Sequence, residues 1–93
     1  MQEISHFFGI IISIQAEAGA KHGLPRFHAI SGVMEAVYEI TETDIVKVSG
    51  FLFPEKECLV LGWAELRRAE ICAAWSDLLN GKLNQDLKIK PLQ

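Results

Sequence analysis

The sequence predicts an α+β fold: a small, mainly antiparallel three- to four-stranded sheet with two C-terminal helices, or one kinked helix, packed on one face. Three observations carry this reading. Apolar side chains alternate at period two through much of residues 4–48. The spacing turns helical through residues 54–80, where both tryptophans sit. Finally, 93 residues with 49% hydrophobic content are enough to build one core. The expected organisation is a single domain over 1–93, with a sheet at 4–48, a mobile loop at 16–24, a helical half at 54–80 and a tail at 82–93.

Residues 4–15 are the most strand-like stretch. Ile4, Phe8, Ile10, Ile12 and Ile14 share one face at period two, and Phe7 and Ile11 share the other. This reads as one interior strand, with Gly9 marking a bulge or a close backbone approach. Residues 16–24 (AEAGAKHGL) are small, mixed in charge and rich in glycine, which makes them a loop, with His22 as an exposed loop histidine. Pro25 opens the next strand, because it cannot donate a ladder hydrogen bond.

Residues 24–40 form the organising stretch: two strands joined by a Ser31-Gly32 turn. Phe27 and Ala29 share one face; Arg26, His28 and Ile30 share the other. After the turn Met34, Ala36, Tyr38 and Ile40 alternate against Glu35, Val37 and Glu39. Antiparallel pairing sets Arg26 or His28 across from Glu35 or Glu39, in ion pairs worth only ~0.2–1 kcal/mol when exposed. Residues 41–44 are a turn, residues 45–48 a short fourth strand, and Phe51-Leu52-Phe53 leads into the helical half.

Pro54 suits a first helical turn, and Glu55 and Glu57 suit its positive end. Leu59, Trp63 and Leu66 make one apolar stripe; Ile71, Trp75 and Leu78 make another. On one straight helix the two would be rotated by roughly 140°. A break around residues 67–70 lets both tryptophans reach the sheet; the alternative is one long helix contacting different neighbours on two sides. Asn80-Gly81 ends the helical half, and Leu87 and Ile89 in the tail suit a short edge strand or a docking segment.

The net charge of −3 and pI near 5.5 support nucleic-acid binding only weakly. The N-terminus lacks a basic secretory start, and residues 7–12 are far too short to cross a bilayer, so the expectation is a cytoplasmic protein with no membrane partner. Cys58 and Cys72 read as small buried apolar residues without ligand spacing. No P-loop, dinucleotide fingerprint, nucleophile elbow or zincin motif is present, and no cofactor or metal is called for.

The candidate site residues are therefore Arg26, His28, Glu35 and Glu39 for binding, with Arg26 and His28 as the catalytic candidates. An imidazole acting as acid or base beside an arginine on a phosphate is the chemistry of a phosphodiester-directed enzyme. Against it stands the plainer reading, in which His28 is held by backbone or by a carboxylate and Tyr38 is a structural phenol. Lys56, Arg67 and Arg68, interleaved with Glu55, Glu57, Glu65 and Glu70, read as a solvated, salt-bridged helical face.

The ordered set of motifs resembles the small bacterial proteins classed as domain-of-unknown-function family 4160. Ile4-Ser5-His6-Phe7-Phe8-Gly9-Ile10 is similar to that family's opening I-S-x-F-[YF]-G-I strand, and Pro25-Arg26-Phe27-His28-Ala29 to its P-H-F-H-A core. Glu35-Ala36-Val37-Tyr38-Glu39-Ile40 resembles the strand that follows. Leu61, Trp63, Arg68, Glu70, Ile71 and Trp75 are similar to its L-x-W-x-x-x-x-R-x-E-L-x-x-x-W signature. Members of that family often sit in compact two-gene arrangements reminiscent of toxin–antitoxin pairs. The resemblance thus implies a protein partner and supports an interaction module as the leading function, with a self-associating homo-oligomer as a further possibility. The alternative is a small RNA- or phosphate-directed enzyme using Arg26 and His28. Arg26 stands where the family usually has a histidine, so a His-x-His chelate is absent.

Overall fold

A computed structural model describes residues 2–14, 24–80 and 89–91. The fold is α+β: one five-stranded antiparallel sheet and two helices. The strands are β1 (Gln2–Phe7), β2 (Ile10–Ile14), β3 (Arg26–Ser31), β4 (Met34–Ile40) and β5 (Ile45–Gly50), and they lie side by side in chain order. The helices are α1 (Pro54–Leu66) and α2 (Arg68–Leu79).

The sheet has more strands than the predicted three to four, because the stretch read as one strand holds two, β1 and β2, within residues 2–14. Phe8 and Gly9 form a two-residue turn with φ of 50° and 76°, between the paired Phe7 and Ile10. Positive φ at both central positions gives the turn the twist that flanking strands need. The signal was weak because Phe stands where Asn or Gly is usual. The turn also corrects the facing: Phe7 packs in the core, while Phe8 is 55% exposed. A bulge at Ile4 keeps that side chain in the core too.

The core lies on one face of the sheet. Ile10, Ile12 and Ile14 of β2, Phe27 and Ala29 of β3, and Ala36, Tyr38 and Ile40 of β4 all point into it, as their alternation predicts. Trp63 of α1 is fully buried between Phe7 and Phe27, with ring centroids 5.4 and 6.0 Å away. Its indole Nε1–H donates to the Lys90 carbonyl at 2.9 Å. Truncating a buried ring of this kind typically costs ~3–5 kcal/mol.

The helical half breaks at Arg67, which closes α1 and opens α2 with φ −111° and ψ 19°. Backbone hydrogen bonds continue on both sides, from Arg67 N–H to Trp63 O and from Ile71 N–H to Arg67 O, each 2.9 Å. The reset phase brings Ile71, Trp75 and Leu78 to the same core as Val60, Trp63 and Ala64. The expected first stripe needs correction: Leu66 is exposed and Leu59 half-buried, and Val60 and Ala64 take the inner positions. Cys58 is exposed rather than buried, Cys72 is half-buried, and both are free.

At the β1 edge the chain covers itself. The Ile89 N–H donates to the Ile4 carbonyl at 2.6 Å, and the Ser5 hydroxyl donates back to the Ile89 carbonyl at 3.0 Å. Ile89 thus lies against β1. Of the loop expected at 16–24, residues 16–23, with His22, lie outside the described residues, as do tail residues 82–88, with Leu87. No helix among the described residues is long and apolar enough to cross a membrane.

Candidate functional site

Arg26, His28, Glu35 and Glu39 stand together on the sheet face opposite the helices. Strand alternation puts them there: each is one position out of step with the core residues Phe27, Ala29, Ala36 and Tyr38. Arg26 lies directly across from Glu39, and its Nε–H donates to Glu39 Oε2 at 3.0 Å. His28 lies across from Val37 and reaches diagonally to Glu35, Nδ1 to Oε2 at 2.8 Å. A carboxylate only accepts, so Nδ1 carries the proton in this contact.

The two pairs limit what the face can do. The Arg26 guanidinium is already charge-paired, so an anion has to displace Glu39 to use it. His28 is 8% exposed, too enclosed to present an open acid–base group. A row across the sheet runs Glu3, Ser13, His28, Val37 and Ser49. Serine, imidazole and carboxylate therefore sit close in the composition of a hydrolytic triad. The Ser13 hydroxyl, however, has no hydrogen-bond partner and is buried at 1% exposure. An imidazole that does not hold the hydroxyl proton does not activate it, and a buried oxygen meets no substrate.

Other polar clusters are structural. The Tyr38 hydroxyl donates to Glu57 Oε2 at 2.8 Å, and Lys47 Nζ approaches the same oxygen at 3.4 Å. Burial first, then the Glu57 carboxylate, pushes the Tyr38 phenol well above its ordinary pKa. Arg68 donates to the Thr41 carbonyl at 2.6 Å and to Glu65 at 3.0 Å, and Arg67 pairs with Glu70 at 3.2 Å, the salt-bridged face the charge pattern predicts. An open groove of about 300 Å³ lies between the end of β4 and α2, walled by Leu24, Pro25, Ile40, Thr41 and Cys72. Arg68 and Glu42 complete its wall, and Arg68 is committed to Thr41 and Glu65. Among the described residues, no three His, Cys, Asp or Glu side chains are grouped to hold a metal ion.

A different feature lies at one end of the sheet, away from the Arg26–His28 face. An antiparallel meander carries the β1–β2 turn, the β3–β4 turn and the exit of β5 to one end of the sheet. Phe8, Val33, Phe51 and Phe53 occupy those points, and all are exposed. Lys56 Nζ, from the first turn of α1, donates to the Phe8 carbonyl at 2.8 Å and ties that turn to the segment carrying Phe53. Phe51 and Phe53 meet edge to face at 5.9 Å. The sequence did hold a signal: in Phe51-Leu52-Phe53 the middle residue is buried and its neighbours face out.

Residues 9–76 match the model of a family described as a domain of unknown function, DUF4160. No curated protein and no solved structure matches the chain.

Proposed function

The chain belongs to the DUF4160 family, which has no assigned function, and from that premise we propose that it is a cytoplasmic protein-interaction module docking through the aromatic end of its sheet. Phe8 carries the proposal. A bulky aromatic at φ 50° is rare, because the left-handed region costs an L-residue roughly 1–2 kcal/mol. Here the strain holds up a ring that is mostly exposed and meets the core only edge-on at Phe7, and strained backbone clusters at functional positions. Phe51, Phe53 and Val33 are exposed at the same end of the sheet, and aromatic side chains are among the commonest anchors of protein interfaces.

The fitting partner is a protein presenting an apolar surface. In a two-gene, toxin–antitoxin-like setting it is the product of the neighbouring gene. The test is co-expression of that product with the wild-type chain and with a Phe8→Ser, Phe53→Ser variant. The wild type retains it through purification; the variant loses it while keeping its far-UV spectrum. A wild-type chain that does not retain it overturns the proposal.

The rival enzyme reading has less support, since Glu39 holds Arg26 and His28 is enclosed. Should overexpression inhibit growth, Arg26→Ala with His28→Ala leaves that inhibition unchanged on the interaction reading and abolishes it on the enzymatic one.

A further inference from the structure

Carboxylates answer the other cations of the sheet and the helical half. Arg26 meets Glu39, Lys47 meets Glu57, Arg67 meets Glu70 and Arg68 meets Glu65, all at 3.0–3.4 Å. Lys56 is different: its ammonium donates at 2.8 Å to a neutral group, the Phe8 carbonyl. Among the described residues no ion pair includes it. The carboxylates beside it in sequence do not serve. Glu57 receives both Tyr38 and Lys47 on one oxygen. Glu55 is one position away on α1, and adjacent helical residues do not face each other. Nor does α1 gain from this cation, because the first turn of a helix is its positive end. The Phe8 carbonyl takes one of three ammonium donors. That bond also fixes the side chain, so a carboxylate arriving there meets a cation whose rotamer freedom is already lost.

We propose that the aromatic end takes a partner segment that sets one Asp or Glu carboxylate on the Lys56 ammonium, between apolar side chains packed on Phe8 and Phe53. The proposal rests on the docking reading above and names the chemistry of its partner. Position supports it. The Lys56 backbone N–H donates to the Phe53 carbonyl at 2.9 Å, and the Lys56 ammonium reaches the Phe8 turn. The residue therefore joins two of the exposed rings, each more than half exposed. Apolar contact on both sides excludes water from the ion pair, where a charge-assisted hydrogen bond is stronger than in water. One cation without a carboxylate suits a single carboxylate, and the net charge of −3 works against a polyanion such as RNA.

The probe is the product of the neighbouring gene, titrated by calorimetry against the purified chain. Wild-type affinity falls as ionic strength rises. Lys56→Arg stays close to wild type, Lys56→Gln weakens binding by about tenfold, and Lys56→Glu weakens it further. All three keep the far-UV spectrum. Acidic residues of the product are then changed to lysine one at a time. One such variant loses the wild-type chain and regains Lys56→Glu, a rescue that a purely structural hold on the Phe8 turn does not give. A product that needs Phe8 and Phe53 but binds Lys56→Gln and Lys56→Glu like wild type overturns the carboxylate and leaves the docking reading standing. Weakened Lys56 variants that no charge swap rescues also overturn it, and assign Lys56 to the turn alone. Binding of a single-stranded RNA oligonucleotide that Lys56→Gln abolishes assigns the cation to phosphate instead. A product that ignores the wild-type chain, or holds the Phe8→Ser, Phe53→Ser variant equally well, overturns both readings.

Discussion

The Tyr38 hydroxyl donates to Glu57 at 2.8 Å, and that one bond ties the centre of β4 to the first turn of α1. Phe27 stacks on the same phenol at 5.3 Å, so the ring is fixed on its face as well as at its tip. A buried hydroxyl needs such a partner, and a carboxylate at a helix N-terminus is a favourable one.

This arrangement gives the fold an alkaline limit. The folded Tyr38 pKa is raised, by burial and then by Glu57, above the ordinary value of about 10. Below that pH the phenol is protonated in both folded and unfolded chains, and its contribution is fully present. As pH rises past about 10 the unfolded chain releases the proton and the folded one resists, so stability falls toward the folded pKa. The slope reaches at most about 1.4 kcal/mol per pH unit for one proton. Urea titrations across this range check it: Tyr38→Phe is less stable at neutral pH by about 1–2 kcal/mol, but its stability falls less steeply with alkali than that of the wild type.

The strap formed by Ile89 is expected to be a stabilising part of the domain. Ile89 is buried, and Trp63 donates to the carbonyl beside it. Ile89→Ala should cost ~2–4 kcal/mol. Ser5→Ala, which removes the hydroxyl bond to the Ile89 carbonyl, should cost ~0.5–1.5 kcal/mol. Because the two residues share a contact, the double variant should fall short of the sum of the single effects in urea denaturation.

Two glycines should respond in opposite directions. Gly50 has φ 81°, and a Cβ there would overlap the Glu35 carbonyl and sit 2.8 Å from Ala36 Cα. Neither neighbour is a flexible side chain, so Gly50→Ala should destabilise by ~2 kcal/mol or more and loosen the β4–β5 pairing. Gly62 lies inside α1 with nothing near its Cβ position. Gly62→Ala should stabilise by ~0.5–1 kcal/mol. Thermal melts of the two variants beside wild type separate these outcomes.

Much of the fold was legible because burial has a period. The alternation through β3 and β4 placed Phe27, Ala29, Ala36 and Tyr38 inward and set Arg26 or His28 across from Glu35 or Glu39; the register then pairs Arg26 with Glu39 and His28 with Glu35. The phase jump between the two tryptophan stripes pointed to a break around residues 67–70, or else to one long helix, without a glycine or proline to mark it, and the break falls at Arg67. What stayed hidden was conformational rather than compositional. A Phe-Gly turn inside a continuous apolar run has the same side-chain pattern as an interior strand, and a positive φ on a phenylalanine leaves no trace in that pattern. Nor does spacing show that Ser13 and His28 are enclosed on the outer face.

Phe8 should therefore reveal a conflict between stability and binding. Asn tolerates the left-handed region and is favoured at the first central position of such a turn. Phe8→Asn removes an exposed ring, relieves backbone strain and keeps the Lys56 bond, which is to the backbone carbonyl. It should stabilise the domain by ~0.5–1 kcal/mol, a fraction of the left-handed penalty, because the lost edge contact with Phe7 offsets part of the gain. Retention of the protein partner should fall in the same variant. A Phe8→Asn chain that melts higher and still holds its partner would show that the ring is a by-product of the turn. One that melts higher and releases the partner would assign the strain to binding.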